Sequence, residues 1–382
     1  MRPAPQPTAP PDVMIATALA LTESAASSRW RGPDIYDGLW WQWPKPLTAG
    51  RRRRQALIQL HARSPLDIRL LYRRRHPLIP KALGMFGSVG LRVHAMRGDE
   101  RARELATDAF ETLDADATAG DRAWGYPWDM QTRWSFYPAG SPNIVVTAFA
   151  GSALLEAERV LGRHDLGERA RRAARWVLDE LWVQPQGFFT YHPGNRANIH
   201  NASLLGAGFV HAALPDDPVA CERVARAVQR TLAAQRADGA WPYGEAPNLA
   251  WVDSFHTGYV LSCLHRLRAV DPAIDAAVAR GARYYERFFD ADGRASLWPD
   301  KRFPEDGHAA GTGLSTLALL VRDDIASREL LARVARRTLD AGIHDGHAVF
   351  RRYRWGRTHV QYLRWCDAHV ALGLVDAAAA IG

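Results

Sequence analysis

The sequence predicts an all-α protein, a single (α/α)6 toroid of six helical hairpins with short extended segments at one mouth. Three observations predict it. Helices rich in Gly, Ala, Ser and Thr recur at a nearly fixed interval, amphipathic helices alternate with them, and the connections after the amphipathic helices share one composition.

The recurrence is carried by five stretches, each with a polar or aromatic start before an apolar run. They are "SPNIVVTAFAGSALLEA" from Ser141, "NIHNASLLGAGFVHAAL" from Asn198, "VDSFHTGYVLSCLHRL" from Val252, "DGHAAGTGLSTLALL" from Asp306 and "YLRWCDAHVALGLVDA" from Tyr362. Aligning Thr147, His200, Asp253, His308 and Arg364 gives steps of 53, 53, 55 and 56 residues. "PKALGMFGSVGLRVHAM" from Pro80 supplies a sixth stretch. Small residues suit helices ringed by neighbours, because they let backbones approach closely. The alternating helices, 166–182, 220–235 and 327–341, carry Arg and Glu on one face and Leu, Val and Ala on the other. Small-residue helices inside and charged helices outside make a closed ring; the rival arrangement is an open solenoid of stacked hairpins.

The connections "QGFFTYHP" (Gln186–Pro193), "DGAWPYGE" (Asp238–Glu245), "DGRASLWPD" (Asp292–Asp300) and "HDGHAVFRRY" (His344–Tyr353) each place aromatics after Gly. They read as a turn and a short extended piece leading to the next inner helix. At 382 residues the chain is long for one domain, but an internal repeat removes that objection. Residues 1–30 are read as an N-terminal extension and helix, and 31–380 as one toroid domain.

Composition excludes some function classes. No apolar run is long enough for a membrane-spanning helix. "VMIATALALT" (Val13–Thr22) has the length of a signal-peptide core but lacks adjacent positive charge, and Asp12 reads as the N-cap of an ordinary helix. Three widely spaced cysteines, Cys221, Cys263 and Cys366, fit a reducing compartment, so a cytoplasmic protein is expected. The net charge of +8 is concentrated in Arg51–Arg54 and Arg73–Arg75. These runs are either solvated helix faces or a dock for an anionic membrane or assembly partner. No nucleic-acid-binding motif accompanies them.

Closure of the ring would bring the inner-helix starts together around one cavity. Candidate catalytic residues there are Asp253, Glu245, Asp306, His256 and His308. Tyr126, Trp128, Asp129 and Arg133 come from "WGYPWDMQTRW". Tyr191, His200, Asn201, Trp241, Tyr243, Trp251, Trp298, Arg302 and Arg364 complete the candidate substrate-binding set. Trp faces suit sugar C–H groups, carboxylates and amides suit hydroxyls, and Arg suits an acidic or phosphate-linked unit. Each residue also has a plain structural use: Asp253 and Asp306 as N-caps, Glu245 as a solvated turn carboxylate, Arg302 and Arg364 as partners of Asp300 and Asp367.

The repeated hairpins with "DGAWPY"-like turns resemble the six-hairpin glycosidase-like superfamily, and less closely the terpenoid cyclase and protein prenyltransferase toroids. "YDGLW" (Tyr36–Trp40), "KALGMFGSVGLRVH" (Lys81–His94), "IVVTAFAGSALLEA" (Ile144–Ala157), "IHNASLLGAGFV" (Ile199–Val210) and "WPYGEAPNLAWVDSFHTGYVLSCL" (Trp241–Leu264) resemble a bacterial family associated with polysaccharide biosynthesis. The resemblance implies an enzyme of glycan biosynthesis that hydrolyses or epimerises an oligosaccharide or polysaccharide, with no cofactor. Resemblance to glucuronyl 5-epimerases, which use Tyr and Glu at the mouth, would put Tyr191, Tyr243 and Glu245 in those parts. For hydrolysis, Asp253 is the expected base and Glu245 or Asp306 the acid. The alternatives are a non-catalytic glycan-binding component and a zinc enzyme using His200, Asp253, His256 and His308.

Overall fold

The computed structural model describes residues 10–41, 43–64, 67–69, 75–116, 122–132 and 135–382. Arg73, Arg74 and Arg133 lie outside the described residues. Along the chain the helices are α1 (Pro11–Ser27), α2 (Lys45–Thr48), α3 (Arg51–Arg63), α4 (Pro80–Arg97), α5 (Glu100–Ala115), α6 (Ile144–Leu161) and α7 (His164–Glu180). Then come α8 (His200–Ala213), α9 (Pro218–Ala233), α10 (Ser254–Arg266), α11 (Ala273–Tyr285), α12 (Gly307–Val321), α13 (Arg328–Arg337) and α14 (Ala368–Ile381).

Helices α4, α6, α8, α10, α12 and α14 form the inner ring, each packed on the next, and α14 packs back onto α4. The ring is therefore closed, and the solenoid alternative falls. Helices α5, α7, α9, α11 and α13 lie outside as hairpin partners of α4, α6, α8, α10 and α12. Helix α1 packs on α14 and α4 and buries Met14, Ile15, Ala18, Leu21 and Ala25 in the common core. It takes the outer place beside α14, so a boundary at residue 30 cuts this helix from the ring it rests on. Asp12 is not the cap of α1: Pro10 holds that position, and Asp12 sits in the first turn and pairs with Arg97.

The small residues do what their pattern requires. A Cβ on Gly311 of α12 would stand 2.4 Å from the backbone of His369, and one on Gly373 of α14 would stand 2.5 Å from the Gly311 carbonyl. Only hydrogen at both positions lets α12 and α14 cross this closely. Side-chain caps fix three of the six inner-helix starts: Asn143 Oδ1 accepts from Val146 N at 3.0 Å, Asp253 Oδ1 from His256 N at 3.1 Å and Asp306 Oδ1 from Ala309 N at 3.0 Å. Such a cap contributes about 1 kcal/mol.

These caps correct the repeat alignment. Asn143, Ile199, Asp253 and Asp306 precede their helices, so Thr147 lies one turn inside α6. Arg364 lies in a π turn, Leu363–Asp367, ahead of α14. The extended pieces are two-residue antiparallel pairs; Glu305–Asp306 pairs with Arg351–Arg352 and joins the entrance of α12 to that of α14. No helix among the described residues is long and apolar enough to cross a membrane. In the basic runs, Arg51, Arg52, Arg53 and Arg75 are exposed, whereas Arg54 is held by Gln131 and the Phe136 ring.

Candidate active site

The inner-helix starts converge on a floor of four polar side chains. Lys81 enters from the first turn of α4, Tyr259 from α10, His308 from α12 and His369 from α14. The Tyr259 hydroxyl lies 3.2 Å from Lys81 Nζ, 2.8 Å from His308 Nε2 and 3.2 Å from His369 Nε2. The two imidazoles stack with centroids 4.0 Å apart. Trp365 and Phe255 wall His308 at 4.6 and 4.3 Å, and Phe149 lies beneath the Lys81 ammonium position at 4.0 Å. All four polar groups are buried. No carboxylate pairs with Lys81 among the described residues. Burial, reinforced by Arg364, holds its amine well below the ordinary lysine range. Burial does the same to both imidazoles: His369, Lys81 and Arg364 add to it for His308, and Lys81 and Arg364 for His369. At neutral pH both imidazoles are therefore uncharged.

Above the floor stand two aromatic walls. Tyr243 stacks on Trp251 at 4.5 Å and touches His256 at 4.5 Å. His256 Nδ1 lies 2.6 Å from Asp253 Oδ2, which also accepts from Trp251 Nε1 at 3.2 Å. A second pair, Tyr126 on Trp128, stacks at 5.3 Å. Together with Tyr191 and Asn143 these rings line a narrow cleft. Arg364 bridges wall and floor. It donates to Tyr126 Oη at 3.1 Å and holds both oxygens of Asp34, at 2.5 and 2.7 Å.

The sequence candidates thus divide. Asp253, His256, Tyr243 and Trp251 form one wall, Tyr126, Trp128 and Tyr191 the other, and His308 stands in the floor. Asp306 is buried beside it but caps α12 and pairs with Arg351 at 3.1 Å. Asn201 is buried, with Oδ1 unpartnered among the described residues. His200 turns outward to Thr231 of α9, and Trp241 packs in the same hairpin, donating to the Thr231 carbonyl. Asp129 holds the backbone of Ala139, and Trp298 is an exposed rim residue. Glu245 is clamped by Arg230 through both oxygens at 2.6 Å and by Asn198. The expected pairings of the arginines change: Arg302 pairs with Asp292, Asp300 takes Arg287 instead, and Arg364 takes Asp34. Among the described residues no group of three or more His, Cys, Asp or Glu could hold a metal, so the zinc set His200, Asp253, His256 and His308 is not assembled.

Solved structures share this closed ring. Among them are a cellobiose 2-epimerase from Bacillus thermoamylovorans, 11% identical with a TM-score of 0.64 over 79% of this chain and 88% of that one. A possible member of the GH105 family from Salmonella enterica is 12% identical, with a TM-score of 0.65 over 98% and 96%. An alpha-1,6-mannanase from a Salegentibacter species is 10% identical, with a TM-score of 0.62 over 96% and 99%. The chain has the closed (α/α)6 toroid fold of these structures. Identities this low establish the fold and leave chemistry to the side chains. Neither a scan against protein-family models nor a search of curated proteins gives a match.

Lys81, Tyr259, His369 and Asp34 are the floor and clamp residues that sequence reasoning missed. Lys81 stands at the start of the least regular repeat, and Tyr259 sits mid-helix, where a Tyr reads as core. His369 is displaced from its repeat position by the π turn, and Asp34 precedes the ring.

Proposed function

We propose that this protein is a sugar epimerase, acting on a neutral reducing sugar. It withdraws the proton from the carbon beside the carbonyl and returns one to the opposite face. The observation that carries this reading is the stacked His308–His369 pair, uncharged and sharing one tyrosine hydroxyl. An uncharged imidazole is a ready general base, and a second one gives the returning proton a donor. The Tyr243–Trp251 and Tyr126–Trp128 stacks offer ring faces for the sugar's C–H surfaces.

Hydrolysis asks instead for two carboxylates flanking a glycosidic bond. Here Asp253 is bound to His256, Asp306 to Arg351, Asp34 to Arg364 and Glu245 to Arg230. On this reading Asp253 orients His256, and Glu245 and Asp306 hold the framework. Of the three arginines expected to anchor an acidic or phosphate-linked unit, Arg364 and Arg302 are both paired, and Arg133 lies outside the described residues. That the cellobiose 2-epimerase shares the fold adds a precedent for such chemistry on this ring.

The test is incubation in D2O with glucose, mannose and cellobiose, followed by proton NMR. Loss of the proton at the carbon next to the carbonyl, with growth of the epimer, is expected. Release of new reducing ends from glycosides, with no deuterium entering carbon, would overturn the reading in favour of hydrolysis.

A further inference from the structure

We infer that Tyr259 holds His308 and His369 in opposite tautomers and relays protons between them, so that one imidazole offers an acid and the other a base. The inference rests on the epimerase reading for its chemical purpose but not for its geometry.

A phenol has one proton to give and lone pairs to accept with. Tyr259 has three nitrogen neighbours: His308 Nε2 at 2.8 Å, His369 Nε2 at 3.2 Å and Lys81 Nζ at 3.2 Å. The shortest contact has the length of a good O–H donor bond, so the hydroxyl donates to His308 Nε2. The lone pairs then accept N–H from His369 Nε2 and from the Lys81 amine. This assignment leaves none of the three nitrogens facing the hydroxyl without a role. On this assignment, with Thr312 as a further neighbour of the hydroxyl, His308 carries its own proton on Nδ1 and His369 is bare at Nδ1. His308 Nδ1 is buried and has no hydrogen-bond partner among the described residues. Burial also keeps the Tyr259 phenol well above its ordinary range, so it retains the proton the scheme needs.

The protons balance over one turnover. His369 Nδ1 takes the proton from the sugar carbon, and His308 Nδ1–H delivers one to the other face. Left there, the site would hold an imidazolium beside an imidazolate, a costly charge separation in a buried floor. Two shifts through Tyr259 cancel it: the hydroxyl proton moves to His308 Nε2, and His369 Nε2–H replaces it on oxygen. Every group is again neutral, with the two imidazoles exchanged in role and set for the reverse reaction. Tyr259 is on this account a positioning residue acting through the histidines, and Lys81 steadies its oxygen.

The experiment is two-bond proton–nitrogen correlation NMR on the full chain labelled with 15N-histidine, near pH 7.5, with His308→Gln and His369→Gln for assignment. One imidazole protonated at Nδ1 and the other at Nε2 is expected. The same tautomer at both positions would overturn the inference. Tyr259→Phe keeps the ring that packs on Phe149 and Phe255. It should abolish the opposed pattern and slow deuterium exchange about 100-fold in kcat, with KM within about threefold. A Tyr259→Phe protein that keeps both pattern and rate also overturns the inference. Opposed tautomers in a protein that exchanges no sugar proton would instead uphold the tautomer assignment and sink the epimerase reading.

Discussion

The floor of the ring and its rim are built from the same residue types to opposite ends. At the rim, charge meets charge: Glu245 with Arg230, Arg302 with Asp292, Asp300 with Arg287. These pairs are solvated, and such pairs contribute about 0–1 kcal/mol each. At the floor, Lys81, His308 and His369 have no carboxylate partner among the described residues, and their polar contacts run among a hydroxyl, an amine and two imidazoles. The carboxylates of Asp253, Asp306, Asp34 and Glu245 are each held by a basic partner. Counting carboxylates at the mouth therefore points to hydrolysis, whereas following their partners points away from it.

The contrast can be broken most directly in the floor. His308→Gln or His369→Gln should lower deuterium exchange by about 10²–10⁴-fold, with circular dichroism and melting close to the parent. Exchange within a few-fold of the parent would return catalysis to the carboxylates. Because burial holds both imidazoles below their usual range, the basic form persists as pH falls. The acid limb of the exchange rate should accordingly lie below pH 6.5, read from a pH–rate profile.

Between floor and rim lies the buried Arg364–Asp34 clamp. Asp34→Asn leaves a buried guanidinium short of its counter-ion and should cost about 3–5 kcal/mol in chemical denaturation. Asp367 tests burial without a cation. It accepts from Gln361 Nε2 and Ala348 N, and burial pushes its carboxyl from 3.8 up to about 7. A raised carboxyl stabilises the fold below its unfolded value, and that contribution is lost as pH rises through the folded one. Relative to Asp367→Asn, the parent should lose on the order of a few kcal/mol between pH 5 and pH 8, measured by urea melts at each pH.

At the wall, Asp253→Asn keeps the cap and Asp253→Ala removes it. Alanine should cost about 1 kcal/mol, while asparagine should cost less and slow exchange through a misdirected His256. At the rim, Glu245→Gln should change stability by about 0–1 kcal/mol and leave exchange within a few-fold. A larger loss there would restore Glu245 to the chemistry.

The closed ring was legible because its cause is local: small residues at a steady interval, and Gly-aromatic turns between hairpins. Asp253, His256 and His308 were legible as polar groups at helix starts. What could not be read was who bonds to whom across the ring. Nothing near Arg364 in the chain names Asp34, 330 residues away. The π turn before α14 shifts register, so the alignment selects Arg364 and passes over His369, five residues on. Tyr259 looks like one more core aromatic until its hydroxyl is seen between two imidazoles.

Closure has a consequence for how this chain comes to possess a centre at all. Lys81 belongs to the first inner helix and His369 to the last, and Arg92 of α4 is pinned to Asp376 of α14. During synthesis the amine, the phenol and the first imidazole must wait, beside an unsealed apolar seam, until the final fourteen-residue helix docks. A chain stopped before residue 368 would lack His369 and the helix that closes the ring onto α4.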